Sequence, residues 1–170
     1  MLRPDRFCAN VESIAPERLA SMGASVAIVD LDNTLLPRDQ DDVPASVREW
    51  LAKVQAAGFR VCLVSNNWHQ RAREVAAELG LPLVAKAVKP FPFAFWRALR
   101  ILGARASECV VIGDQLFTDV LGARIVGCTS IMVPPRSSYD LPHTLVLRRL
   151  ESLIMGKSAA ERASEESSCG

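Results

Sequence analysis

The stretch AIVDLDNTLL (27–36) sets two aspartates one residue apart at the end of an apolar run. Residues i and i+2 of a strand share a face, so Asp30 and Asp32 leave the strand end side by side. Adjacent carboxylates repel. The arrangement costs stability unless a cation or a chemical duty compensates.

Comparable apolar runs recur along the chain: SVAIVD (25–30), RVCLVS (60–65), LPLVA (81–85), CVVIGD (109–114) and CTSIMV (128–133). Each is short, rich in Val and Ile, and bounded by turn residues, as strands buried on both faces of a parallel sheet are. Between them the period changes to that of a helix. Val47, Leu51 and Val54 recur at helical spacing, as do Ala72, Val75, Ala76 and Leu79, and then Phe95, Leu99 and Leu102. This alternation predicts an α/β fold, an open and mainly parallel sheet with helices on both faces. Ligands of such sheets bind beyond the carboxyl ends of the strands. The residues that follow the runs there are Asp30 and Asp32, then Ser65, Asn66 and Asn67, then Lys86 and Lys89, then Asp114 and Gln115. Polar groups collect at one edge.

With 170 residues, 49% of them apolar, the chain is sized for one domain around one core. Its 20 Lys and Arg against 19 Asp and Glu, with no dense basic run, argue against a nucleic-acid partner. Five cysteines without CxxC spacing read as buried, reduced thiols. MLRPDRFCAN (1–10) lacks a signal-peptide core and no run reaches the ~20 apolar residues of a membrane span. The expected location is therefore the cytoplasm, with peripheral membrane contact and oligomerisation both left open. APERLASMG (15–23) suggests a short helix stopped by Gly23, and LPHTLVLRRLESLIM (141–155) a closing helix. The small, polar tail at 156–170 is expected to be disordered.

A carboxylate pair with a third acid, a hydroxyl and a lysine fits phosphoryl transfer. Asp30 and Asp114 could hold Mg²⁺, which takes oxygen ligands. Asp30 could then attack phosphorus, while Asp32 protonates the leaving oxygen and later activates water. Ser65 and nearby amides would bind the phosphoryl oxygens, and a lysine would balance their charge.

DLDNTL (30–35), VSNN (64–67), KP (89–90) and GDQLFTD (113–119), in this order, resemble the four motifs of the haloacid dehalogenase (HAD) superfamily of phosphatases. More narrowly, the chain resembles the YqeG family of subclass IIIA, which includes mitochondrial phosphatidylglycerophosphate phosphatases. The resemblance covers nearly all of 1–155. It implies a Rossmann-like HAD core, with Asp30 as nucleophile and Asp32 as acid/base. It implies Ser65 and Asn66 as phosphate ligands, Lys89 rather than Lys86 as the lysine, and Mg²⁺ on Asp30, Asp114 and the Asp32 carbonyl. Asp119 and Thr34 would stand in the outer shell, Thr34 shaping the loop. Pro90 would suit the first position of the next helix. About thirty residues between Asp30 and the next run leave no room for a cap, so a single capless domain over 1–155 is expected. The substrate would be a phosphate ester, with a phospholipid head group as the leading candidate and a soluble sugar, nucleotide or protein phosphate as the alternative.

Plainer readings exist for each motif. An EF-hand loop starting at Asp30 would need Gly at 35 and Glu at 41, where the chain has Leu35 and Asp41. GDQLFTD alone reads as a strand-to-helix turn capped by Asp114 or Thr118. VSNN alone is a polar turn, Lys89 alone a surface lysine, and His69 and His143 are too few and too distant for a zinc site. A receiver-like phospho-accepting module uses similar groups, but there the acidic pair opens the chain and the acceptor Asp follows two strands later. Here the DxD comes first. Trp96 lies off the Phe95/Leu99 face and should be exposed with Phe91 and Phe93, against lipid or against a second subunit.

Overall fold

Six parallel strands form one sheet in the order β1-β6-β5-β2-β3-β4 in the computed structural model, which describes residues 2–37, 40, 42–67 and 70–137. The strands are β1 (Arg6–Phe7), β2 (Val26–Asp30), β3 (Arg60–Val64), β4 (Leu83–Val84), β5 (Cys109–Gly113) and β6 (Thr129–Met132). All five predicted runs are strands. β2 lies at the centre, pairing Val26 with Arg60 on one side and with Cys109 on the other, and every one of its residues is buried.

Strand alternation feeds two cores. Ala27, Val29, Val61, Leu63, Val110 and Ile112 pack on one face with residues of α2 (Ala45–Ala56) and α3 (Gln70–Glu78). Val26, Ile28, Cys62, Val64 and Val111 pack on the other with α4 (Pro92–Leu102) and α5 (Leu121–Val126). Helices therefore cover both faces, as the doubly buried runs require. α2 buries Val47, Trp50, Leu51 and Val54, and the Trp50 Nε1 donates to the Ile14 carbonyl at 2.8 Å. α4 buries Ala94, Phe95, Ala98, Leu99 and Leu102 and ends at Gly103, whose left-handed φ of 58° suits a residue without Cβ. Fully burying Phe95 contributes roughly 2–3 kcal/mol. Its ring lies where a Cβ on Gly122 would stand, which is why α5 carries glycine at that crossing.

Two expectations need correction or addition. α4 starts at Pro92, not Pro90, which stands before the helix behind a cis Lys89–Pro90 bond. The short helix before β2 is present as α1 (Pro16–Ser21), with Gly23 at φ 76°, but β1 ahead of it was not foreseen. β1 is only two residues long and holds its place through Asp5. The Asp5 carboxylate accepts from the Ser130 amide and hydroxyl, both at 2.8 Å, docking β1 on β6.

Cys8, Cys62, Cys109 and Cys128 are buried free thiols, and burial pushes the Cys62 thiol up to about 12. These four are the buried, reduced thiols expected. No helix among the described residues is long and apolar enough to cross a membrane. The closing helix at 141–155, the tail, Trp68, His69 and His143 lie outside the described residues.

The connections set the site. From β2 the chain steps outward to β3 and β4, then returns to β5 beside β2 and continues to β6. The strand order reverses between β2 and β5, and the crevice at their carboxyl ends is where such a sheet receives a ligand.

Candidate active site

Asp30 ends β2 and is 5% exposed. The chain then turns tightly: the Leu35 and Leu36 amides donate to the Leu31 carbonyl at 3.1 and 3.0 Å, and the Asn33 amide donates to the Leu36 carbonyl at 2.8 Å. Asn33 sits at φ 67°, a left-handed conformation that Asn tolerates better than most residues. Asp32 therefore lies on this turn rather than in the strand that ends at Asp30. Asp30 stays inside, and Asp32 is only partly buried. Thr34, also buried, places its hydroxyl 3.2 Å from Asp30 Oδ2 and 3.4 Å from Asp114 Oδ1.

Lys89 enters from the loop before α4. Its amide donates to Asn66 Oδ1 at 2.7 Å, so the loop after β3 anchors the loop after β4. Its ammonium is buried and donates to Asp30 Oδ1 at 2.5 Å and to Asp119 Oδ1 at 2.6 Å. Asp114 follows β5 directly, and Asp119 lies on a π-helical turn, Leu116–Val120, that joins β5 to α5. Such turns recur at functional sites because the extra residue re-aims a side chain. Asp119 packs onto Gly113, whose missing Cβ leaves room for its carboxylate. The Asp119 Oδ2 also accepts from the Gln115 amide at 3.2 Å and the Thr118 hydroxyl at 3.3 Å.

Asp30, Asp114 and Asp119 bring one oxygen each within 4.8 Å of one another, all three residues buried. Burial pushes the Asp30 carboxyl well above the usual carboxylate range. Lys89 pulls it back, and Asp119, Asp114 and Asp32 push it up again. Lys89 is driven the other way: burial disfavours its charge, but Asp119 and Asp30 outweigh that and keep it protonated. Three carboxylates around one ammonium leave uncompensated negative charge. Hard oxygen donors in a buried cluster of this charge could hold a divalent cation.

The loop after β3 supplies the other wall. Ser65 is buried, and its hydroxyl donates to Asp32 Oδ2 at 2.5 Å while accepting from the Asn67 amide at 2.9 Å. Asn67 Nδ2 lies 3.4 Å from Asp32 Oδ1. Every predicted residue, Asp30, Asp32, Thr34, Ser65, Asn66, Lys89, Asp114 and Asp119, therefore stands at this one edge. Lys86 does not join them: it is exposed and lines an outer groove with Arg73 and Arg97.

The sequence reading missed a clamp beneath the first loop. Arg136, just beyond β6, donates through Nε to the Thr34 carbonyl at 2.6 Å and through a terminal nitrogen to Glu12 Oε2 at 2.5 Å. Its amide donates to the Asn33 carbonyl at 2.9 Å, and the Ser137 amide and hydroxyl donate to Asn33 Oδ1 at 3.2 and 2.8 Å. The segment follows the last apolar run, CTSIMV (128–133), as the other edge residues follow the first four, and that position is its signal in the sequence.

Between β2 and β3 the described residues hold only the tight turn, α2 and their joining loops; between β3 and β4 they hold α3. The family model of haloacid dehalogenase-like hydrolases matches residues 11–127. The probable phosphatase YqeG of Bacillus subtilis is 40% identical over 152 residues, covering 89% of this chain and 88% of that protein. Phosphatidylglycerophosphate phosphatase 1, chloroplastic/mitochondrial, of Arabidopsis thaliana is 24% identical over 82% of this chain, which spans 43% of that longer protein. The crystal structure of an uncharacterized protein from Corynebacterium glutamicum shares the fold, with a TM-score of 0.55 at 20% identity over 75% of this chain and 93% of that one. Family match and sheet-edge chemistry coincide from the first turn to the end of α5: this chain is an enzyme of the haloacid dehalogenase-like hydrolase family.

Proposed function

We propose that the chain is a Mg²⁺-dependent phosphomonoesterase that works through an aspartyl-phosphate on Asp30, with a phosphatidylglycerophosphate-like lipid as its leading substrate. What carries the reading is the contrast between two carboxylates two residues apart. Asp30 is buried against Lys89 and next to two further acids; Asp32 is half-open to solvent and bonded to the Ser65 hydroxyl. Two acids in such different environments suit two different roles.

An Asp30 oxygen forms the new bond to phosphorus as the ester oxygen leaves, taking its proton from Asp32. Asp32 then accepts a proton from water, whose oxygen attacks phosphorus and releases inorganic phosphate and the free Asp30 carboxylate. Ser65 and the Asn67 amide turn toward the phosphoryl oxygens once these displace the Ser65–Asp32 bond. Asn66 holds the Lys89 backbone, and Lys89 balances charge on Asp30 and the phosphoryl group. Asp30, Asp114 and the Asp32 carbonyl would hold Mg²⁺, with Asp119 and Thr34 steadying them. The ion supplies positive charge that offsets both the carboxylates and the phosphate. A single domain without a cap leaves this edge open, which admits a large substrate or one presented at a surface.

The test is phosphate release with and without Mg²⁺ from phosphatidylglycerophosphate in mixed micelles, beside a panel of soluble phosphate esters. Asp30→Asn should abolish turnover with the fold intact, and Asp32→Asn should slow it by about two to four decades. Full activity in Asp30→Asn protein would overturn the mechanism. Activity confined to soluble esters would keep the mechanism and discard the lipid.

A further inference from the structure

Among the described residues, the large apolar side chains left most exposed are Val88, Phe91, Phe93, Trp96, Ile101 and Ile125. Four of these six fall within the nine residues from Val88 to Trp96, on the loop that carries Lys89 and the first turn of α4. Phe93 is 70% exposed and Trp96 51%, and their rings meet edge to face at 5.7 Å. The outward face of α4 continues with Arg97 and Arg100. Arg97 joins Lys86 and Arg73 around a groove of about 480 Å³ floored by Ala76, Leu81 and Leu83.

Charge in this region is one-sided. From Leu79 to Ser107 the sequence has five cations, Lys86, Lys89, Arg97, Arg100 and Arg105, and no carboxylate, although the whole chain is nearly neutral. Lys89 points into the site and Arg105 is paired with Glu108. Arg97 and Arg100 are exposed on α4 beside Trp96, and Lys86 lines the groove with Arg97. A second copy docked by two-fold symmetry on this face would bring these cations against their own counterparts, with no acid from the stretch to pair them. An anionic lipid surface meets both halves of the pattern: aromatic rings enter the headgroup boundary and the cations face lipid phosphates.

We propose that the Val88–Trp96 aromatic patch, with Lys86, Arg97 and Arg100, seats this protein on anionic phospholipid bilayers. The loop that bears the patch also bears Lys89, so docking sets the mouth of the active site at the headgroup layer. The proposal deepens the lipid reading above only in what the docked site acts on.

The experiment is co-sedimentation with phosphatidylcholine vesicles containing or lacking about 30 mol% phosphatidylglycerol, at about 0.1 M salt. The full chain carrying Asp30→Asn is used, so that no turnover enters the readout. Binding is expected only to the anionic vesicles and should weaken as salt rises. Phe93→Ala/Trp96→Ala and Arg97→Gln/Arg100→Gln should each reduce it about tenfold or more. Placed in the active protein, both pairs should leave hydrolysis of a soluble ester within about twofold. Absence of binding to anionic vesicles, or binding that neither pair weakens, overturns the proposal. So does a dimer in sedimentation velocity that Phe93→Ala/Trp96→Ala converts to monomer without any vesicle binding in the parent. Vesicle binding without turnover of the lipid phosphate would uphold docking and discard the lipid substrate, which separates the two failures.

Discussion

Lys86 and Lys89 stand three residues apart on one loop, and the fold gives them opposite surroundings. Lys89 turns inward to two carboxylates and is almost sealed from solvent; Lys86 remains outside beside Arg73 and Arg97. Both are ammonium groups on the same flexible stem, so side-chain chemistry cannot account for the difference. The backbone does: the Lys89 amide is fixed to Asn66, and β4 delivers the loop to the crevice where the strand order reverses. A buried charge requires its partners, whereas an exposed one keeps its head group in water.

Lys89→Met tests that contrast most severely. It leaves Asp30 and Asp119 without their cation, so stability should fall by about 3–5 kcal/mol in metal-free buffer. Ester hydrolysis should fall by at least about 10²-fold. Lys86→Met should stay within about 0.5 kcal/mol of the parent and keep its activity on soluble esters. A urea titration and an ester assay on both variants decide it, and equal losses would break the comparison.

Next in size is the effect of the metal. At about a hundred times its Kd, Mg²⁺ should raise stability by about 2.7 kcal/mol. Since burial holds the Asp30 carboxyl above its ordinary 3.8, the folded protein binds that proton more tightly than the unfolded chain. Metal-free stability should therefore decline as pH rises past 3.8, and the benefit of Mg²⁺ should grow over the same interval. Calorimetric Tm values across pH, with and without the ion, read both trends.

A smaller change sharpens the inner side of the contrast. Gly113→Ala puts a methyl group where Asp119 packs and should cost about 1–3 kcal/mol while weakening Mg²⁺ binding by titration calorimetry. Smaller again is the clamp under the first loop, where Glu12→Gln should cost about 1 kcal/mol. Burial raises the Glu12 carboxyl, but the hydrogen bonds from Arg136, its own backbone and Ser46, together with the Arg136 charge, outweigh it and the net displacement is downward. Its contribution should be present above 4.5 and lost as pH falls through the lower folded value, so parent and variant should converge in Tm under acid.

The strands were legible because a parallel sheet buries both faces and writes itself as unbroken apolar runs. The helices were legible from Val47, Leu51 and Val54 and their counterparts. β1 was not, since two residues carry no periodicity and its anchor is a carboxylate reaching Ser130, 125 positions away. The edge rule collected the acids and Ser65, but choosing Lys89 over Lys86 needed the Lys-Pro match; spacing leaves the two equal. The different surroundings of Asp30 and Asp32 were also hidden. Period-two geometry gives them one face, whereas Asp30 is buried against Lys89 and Asp32, on the following turn, is partly exposed and bonded to Ser65.

The pairing of β1 with β6 has a consequence for biosynthesis. On a ribosome the Asp5 strand emerges before the rest of the sheet and then waits, because its sheet neighbour among the described strands is β6, and Ser130, which donates to Asp5, comes more than a hundred residues later. Until that stretch has left the exit tunnel, the β6 side of the sheet is an unfinished edge able to recruit a neighbouring nascent chain. At about 5–20 residues per second that interval lasts on the order of ten seconds, which makes the Asp5–Ser130 contact the late step that closes the growing sheet.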